Sequence, residues 1–273
     1  MAENTVTTPE NHNTTTPKTR VSAFGLLQQL LQNPKLDDTE SLEPAQPLYV
    51  VGDIHGRIDL LDALLARIFR EASRDAHLVF VGDYIDRGPS SAAVIRALRC
   101  LENNANMNVT CLRGNHEAMM LDFLDAPHAN AFWLRNGGRK TLESYGVADP
   151  GHDPSPDELV DIRNALHAAL PSGDEAFLRR LPLSFKSGNV FVSHAGANPL
   201  QPLSMQTQQA LVWGDASMLT TPRDDGMWVV HGHYIQSVAE ANARRIGVDT
   251  GAFYTGQLCA ARIQPGTLGI MVS

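Results

Sequence analysis

LYVVGDIHG (48–56), HLVFVGDYIDRG (77–88) and NVTCLRGNHE (108–117) state one pattern three times: a short apolar run that stops at a polar cluster containing glycine. The apolar runs are brief and rich in β-branched residues, as strands buried on both faces are. Between them, residues 59–72 and 90–101 place apolar side chains at helical spacing. A strand–helix–strand–helix–strand series implies parallel pairing, with helices covering the sheet. Open α/β sheets hold ligands outside the carboxyl ends of their strands. The three polar clusters therefore converge in space although they lie far apart in sequence.

Outward from this core, residues 117–181 read as mainly helical. Ser155 with Glu158 three residues later is a helix-start signal, and GDEAFLRRL forms a shorter helix. After Pro182 the chain returns to strands, LSFK, NVFVSH, MWVVHGH, ARRIGVD, QLCAARI and GTLGIMV, mostly joined by turns. These are expected to build a second, more antiparallel sheet packed on the first. The fold class is α/β (α+β), with one domain over 47–273. Residues 1–19 are Thr, Asn, Pro and Glu for the most part and read as a disordered tail. Residues 20–46 read as a weak helix, with Val21, Phe24, Leu27 and Leu31 on one stripe, followed by a linker.

The 273 residues include 22 Lys+Arg and 30 Asp+Glu, a formal charge of -8. That balance, with no basic run, argues against stable nucleic-acid binding, which needs a positive field. Cys100, Cys111 and Cys259 are widely spaced and read as small apolar residues, not as a disulfide framework. No apolar stretch approaches the ~20 residues of a membrane span, and the N-terminus has no apolar signal region. The expectation is a cytoplasmic protein without membrane association.

Asp53, His55, Asp83, Asn115, His194 and His233 all follow apolar strands. Carboxylates and imidazoles gathered in one pocket repel one another or lose hydration at a cost unless metal occupies it. Oxygen and imidazole donors suit Mn, Fe or Zn, and the absence of thiolates argues against a closed structural zinc site. Six donors exceed the needs of one open catalytic ion. They suit two divalent ions sharing a carboxylate, with Asp83 the natural bridge. His231 stands two residues before His233 and reads as a satisfied strand histidine or as a group supporting the metal ligands, while His12, His77, His128, His152 and His167 read as surface or loop residues.

GDIHG (52–56), GDYIDRG (82–88), GNHE (114–117), His194 and the GH pair at 232–233 resemble the phosphoprotein phosphatase family of calcineurin-like metallophosphatases, over residues 47–273. WLRNGGRKTLESYG (133–146) is similar to its bacterial serine/threonine phosphatase branch. The resemblance implies two mixed β-sheets packed face to face with helices outside. It implies that Asp53 and His55 serve one metal, that Asp83 bridges, and that Asn115, His194 and His233 serve the second, with Mn the first choice of ion. It assigns His116 to protonate the leaving group, Asp86 to orient His116, and Arg87 with Asn115 to hold the substrate phosphate. Arg113 reads as structural. The family's second phosphate arginine is missing near LVWGDAS (211–217), where Asp215 stands instead. Arg223 is the expected substitute, provided Asp215 turns away, with Arg135 and Arg139 as further candidates.

The implied activity is hydrolysis of phosphoserine or phosphothreonine by metal-activated hydroxide, on a phosphorylated protein or a small phosphoester. The alternative is a dinucleoside polyphosphate or RNA 5′-end pyrophosphohydrolase. An exonuclease-like metallophosphatase fits less well, since DRG and GNHE supply the Asp86–His116 pair. A non-catalytic binding scaffold would have lost a ligand or His116, and none is lost.

Overall fold

The computed structural model describes Met1 and residues 42–273 apart from 105–106, 150 and 238. The expected tail over 1–19, and the expected helix at its stripe positions, lie outside the described residues. Residues 42–46 do not behave as a linker: Leu42 is fully buried, and the Glu43 N–H donates to Asn189 Oδ1 at 2.7 Å.

The first three strands form where the apolar runs predict them: β1 (Leu48–Val51), β2 (His77–Phe80) and β3 (Asn108–Cys111). They pair in parallel, with Leu48 opposite His77 and His77 opposite Asn108. The intervening helices are α1 (Ile58–Glu71) and α2 (Ser91–Asn104). On α1 the buried residues are Leu61, Leu64, Leu65 and Ile68, one stripe at helical spacing. β1 lies inside the molecule and alternates accordingly. Tyr49 and Val51 pack with the helices, whereas Leu48 and Val50 pack between the two sheets with Val190, Val192 and Val230.

The middle segment supplies α3 (Asn115–Asp125), a π-helical turn (Leu134–Gly138), α4 (Arg139–Ser144), α5 (Pro156–Ala169) and α6 (Asp174–Arg180). The start signal of α5 is realised as a capping box: Ser155 Oγ accepts from the Glu158 N–H, and Glu158 accepts from the Ser155 N–H at 2.7 Å.

The strands of the second half are β4 (Ser184–Ser187), β5 (Val190–Ser193), β6 (Trp228–His231), β7 (Glu240–Asn242), β8 (Arg245–Gly247), β9 (Cys259–Gln264) and β10 (Thr267–Val272). Two short helices interrupt them, α7 (Gln208–Trp213) and α8 (Ala252–Thr255). The expectation that all of these strands form one second sheet needs correction. β9 and β10 leave for the first sheet, whose order is β10-β9-β1-β2-β3, and β9 lies antiparallel on the free edge of β1. Without that partner, the backbone groups along one side of the buried strand β1 would be unpaired. The second sheet, in order β4-β5-β6-β8-β7, is also less antiparallel than expected, since β5–β6 and β6–β8 are parallel pairs. The result is two mixed sheets packed face to face and flanked by helices. The parallel strands of both sheets release their polar clusters at one end.

Candidate metal centre

β1 ends in Asp53 and His55, β2 in Asp83, Asp86 and Arg87, β5 in His194, and β6 in His231 and His233; Asn115 and His116 open α3 just beyond β3. Five of these residues have left-handed backbones: His55 (φ 45°), Asp83 (54°), Asp86 (71°), Arg87 (64°) and His233 (61°). Non-glycine residues adopt that region at a cost of about 1–2 kcal/mol each. Such strain gathers where the surroundings hold side chains in functional positions. Here the sharp turns fold the side chains inward over the strand ends.

Asp83 is the centre. Its carboxylate lies 3.6 Å from His55 Nε2, 3.8 Å from His116 Nε2 and 3.4 Å from His194 Nε2. His55, Asp83 and His116 offer one group of close donor atoms, and Asp83, His194 and His233 offer a second, so the two clusters share one carboxylate. Asn115 Oδ1 joins the second at 2.9 Å from His194 Nε2 and 3.0 Å from His233 Nδ1. Asp53 lies beside this group, accepting from the His233 N–H at 3.2 Å.

The donor chemistry fits divalent cations. The His55 Nδ1–H donates to the Ile85 carbonyl at 2.7 Å. In its neutral form its Nε2 then presents a lone pair to Asp83, two electron-rich atoms facing each other in a buried site. Protonation does not relieve this: burial pushes the pKa of His55 down to about 3 and that of His194 to about 4, against the pull of Asp83. Burial alone would raise Asp83, but His194, His116 and His55 bring it below the ordinary carboxylate range. Burial, Asp249 and Asp83 push Asp53 well up. Cations between these groups would satisfy all of them at once, and two clusters sharing Asp83 would suit a two-ion arrangement.

His116 differs from the other imidazoles. Its Nδ1–H donates to Asp86 Oδ2 at 2.6 Å. Burial works against its charged form, yet Asp83 and the bond to Asp86 prevail, and its pKa is raised. Asp86 has no solvent exposure, and burial pushes its own pKa up against the bonds it accepts. The Trp133 Nε1–H donates to it at 2.9 Å and the Thr141 hydroxyl at 2.6 Å. The WLRNGGRKT segment is thereby part of the site. Gly137 (φ 113°) lets this segment approach Arg87 so closely that a Cβ there would meet Arg87 N at 2.7 Å.

Arg87 is exposed, and its guanidinium lies 5.0 Å from the centre of the Phe253 ring, in cation–π range. It also opens a groove of about 780 Å³ lined by Arg135, Arg139, Lys140 and His152, with Asp153 the carboxylate in its wall. Arg139 pairs with Asp149 at 2.6 Å and Arg135 with Asp153 at 3.3 Å. Exposed pairs of this kind are worth about 0–1 kcal/mol, so an incoming polyanion can displace them at small cost.

The expected second clamp does not reach the centre. Arg223 donates to Asp225, to the Asn198 carbonyl at 2.9 Å and to the Gln201 carbonyl at 3.1 Å, which holds it on its own loop. Its side chain is 6% exposed, because the loop wraps it. Asp215 accepts from Asn198 Nδ2 at 2.8 Å and from the Ser217 N–H at 2.9 Å. Arg113 donates to the Arg179 carbonyl, and His231 bonds the Gly232 carbonyl at 2.9 Å within the strand end.

Four contributors escaped sequence reasoning. Trp133 and Thr141 hold Asp86. Glu117 accepts from the N–H groups of Asp83 (2.8 Å), Tyr84 (2.8 Å) and Gly114 (2.9 Å), which stitches two strand-end turns together. Burial and Asp83 raise the pKa of Glu117 to about 7. Asp249 is buried beside Asp53, and burial lifts its pKa to about 6 although the Gly251 N–H opposes this. The signal for Asp249 was available, since VDTG follows a short apolar strand as VGD does twice before.

Residues 46–237 match the family model described as calcineurin-like phosphoesterase. The chain is 30% identical over 227 residues to serine/threonine-protein phosphatase 1 of Salmonella typhimurium, covering 80% of this chain and 92% of that one. It is 28% identical over 235 residues to an asymmetrical bis(5′-nucleosyl)-tetraphosphatase of Bacillus velezensis, covering 78% and 87%. Among solved structures, a candidate diadenosine tetraphosphatase superposes with a TM-score of 0.58 at 23% identity, covering 84% of this chain and 94% of that one. At that identity the superposition speaks for the fold.

Proposed function

Because the chain belongs to the calcineurin-like phosphoesterases and carries their metal-dependent hydrolytic site, we propose that its substrate is a dinucleoside polyphosphate, cleaved by water at a phosphoanhydride bond. The observation that carries this reading is the cationic groove. Arg87, Arg135, Arg139 and Lys140 share its wall, the last three paired with the displaceable carboxylates of Asp153, Asp149 and Glu143. A phosphomonoester needs one anion site, whereas a chain of phosphates needs a row of them. The volume is within the range of small-ligand clefts. The tetraphosphatase relative supports the same choice.

In this reading Asp53, His55 and Asp83 would hold one divalent ion, and Asp83, Asn115, His194 and His233 the other, with Mn the expected metal. When bound, such ions would supply Lewis-acid polarisation of the phosphate and an acidified water. Arg87 orients the reacting phosphate through paired N–H donors. The bond to Asp86 favours the charged form of His116, which can give its proton to the departing oxygen, while Asp86 fixes which ring nitrogen carries it.

The His116–Asp86 pair favours a second reading. A nucleotide leaving group scarcely needs a proton, but the alkoxide of serine or threonine does, and the Salmonella relative is named a serine/threonine phosphatase. Parallel kcat/KM measurements on diadenosine tetraphosphate and a phosphoserine peptide, with Mn-loaded protein, separate the two. The proposal expects at least a tenfold preference for the dinucleotide. A preference for the peptide overturns it and returns the substrate to phosphoprotein.

A further inference from the structure

Beyond the metal centre and the cationic groove, the site carries an aromatic pair that the phosphate chemistry does not use. Phe253 and Tyr254 lie on α8, the single turn after Asp249. The turn is firmly held: the Thr255 hydroxyl donates to the Thr250 and Gly251 carbonyls at 3.0 Å, and Arg57 Nη1 donates to the Ala252 carbonyl at 3.0 Å. Phe253 meets His55 edge to face at 5.4 Å and Tyr254 at 5.0 Å. One ring, that of Phe253, therefore separates Tyr254 from a metal-facing imidazole. Arg87 covers Phe253, but Tyr254 is 62% exposed. On its inner side the Tyr254 ring rests on Gly251 so closely that a Cβ there would lie 2.2 Å from Cε1. The ring is pinned on one side and open on the other.

We propose that Tyr254 is a nucleobase platform: a base of the substrate stacks on its open side while the attached phosphate reaches Arg87 and the metal centre. Every base has a π-face, so such a platform accepts nucleotides without reading their sequence. Phe253 touches both His55 and the Arg87 guanidinium and passes the contact on to Tyr254, which puts the open ring one residue beyond the phosphate-binding arginine. The inference rests on the dinucleoside polyphosphate reading for its biological meaning, and its test reads binding alone.

Isothermal titration of Mn-loaded protein with ADP and with inorganic pyrophosphate isolates the nucleoside, because the two probes share the diphosphate, and the Tyr254 variants then single out the stack on its base. Wild type should bind ADP more tightly than pyrophosphate. Tyr254→Ala should lower the ADP-to-pyrophosphate affinity ratio by about 5–150-fold, the range of one base–aromatic stack, and Tyr254→Phe should keep the ratio. A ratio unchanged in Tyr254→Ala overturns the platform, as does a wild type that binds both probes equally. The outcome is separable from the substrate reading. Loss of the ratio in a protein that leaves diadenosine tetraphosphate uncut supports the platform and removes the hydrolytic reading, and an unchanged ratio in a protein that cuts it does the reverse.

Discussion

Replacing Asp86 with asparagine isolates the charge that holds His116 in its acid form. The shape of the site tolerates the change. The new amide Oδ1 can keep the Trp133 and His116 donors now on Asp86 Oδ2, and its Nδ2 can donate to Thr141 Oγ1, whose own hydrogen can turn to Ser91 Oγ at 3.1 Å. The second Nδ2 hydrogen finds no acceptor in this buried site, at a cost of about 1–3 kcal/mol, so the fold should persist with lower stability. What changes is the bond to His116 Nδ1, at 2.6 Å, from charge-assisted to neutral. Bonds to charged partners contribute about 1.5–3 kcal/mol and neutral ones about 0.5–1.5 kcal/mol. The difference, about 1–1.5 kcal/mol, corresponds to roughly one pH unit. Asp83 and Asp86 raise the pKa of His116, so its proton is present below that pKa and lost as pH rises through it. Asp86→Asn should therefore move the alkaline limb of the kcat profile about one pH unit toward acid, for a phosphoserine peptide whose leaving group needs the proton. Above both limbs kcat should fall about tenfold, and on the acid plateau it should stay close to wild type. An aryl phosphate should show little of this. An unmoved limb, or an equal shift on the aryl ester, would refute the assignment of His116 as proton donor.

His116→Asn should lower kcat by about 10²–10⁴-fold on an alkyl phosphate and much less on an aryl phosphate, and equal losses would point to a positional role instead. Gly137→Ala places a Cβ against Arg87 N at a backbone angle that suits glycine; denaturant titration should show a loss of about 1–3 kcal/mol, and KM should rise as Arg87 shifts. Burial lowers the pKa of His77, whose Nε2 bonds Thr110 Oγ1 at 2.8 Å. The unfolded chain then takes up a proton that the folded state resists, so this contribution is intact above about pH 6.5 and declines below it. His77→Gln should flatten the loss of stability between pH 7 and 5 in urea titrations.

The strand-end residues were legible because each apolar run announces both its strand and the point where the chain turns. Asp53, His55, Asp83 and His116 come together for that reason alone. Edge pairing was not legible. β9 looks like its neighbours in sequence, and its place beside β1 follows from the need of a buried strand for two partners, which no local pattern encodes. Arg223 misled because a charged residue in a predicted turn carries no sign of where its donors will go; Asp225, two residues on, captures it. Trp133 was visible as a motif but not as a hydrogen-bond donor, since its acceptor Asp86 lies far away in the chain. Leu42 sits in a polar stretch whose composition reads as linker, yet one leucine is enough to anchor the chain between the sheets.

The central claim is that Asp83 joins two ions in one centre. Titrating metal-free protein with Mn²⁺, with electron paramagnetic resonance and elemental analysis as readouts, tests it directly. The account predicts close to two ions per chain with the spectrum of an exchange-coupled pair, and loss of that coupling in Asp83→Asn. One ion per chain at full activity, or two ions without coupling, would contradict it.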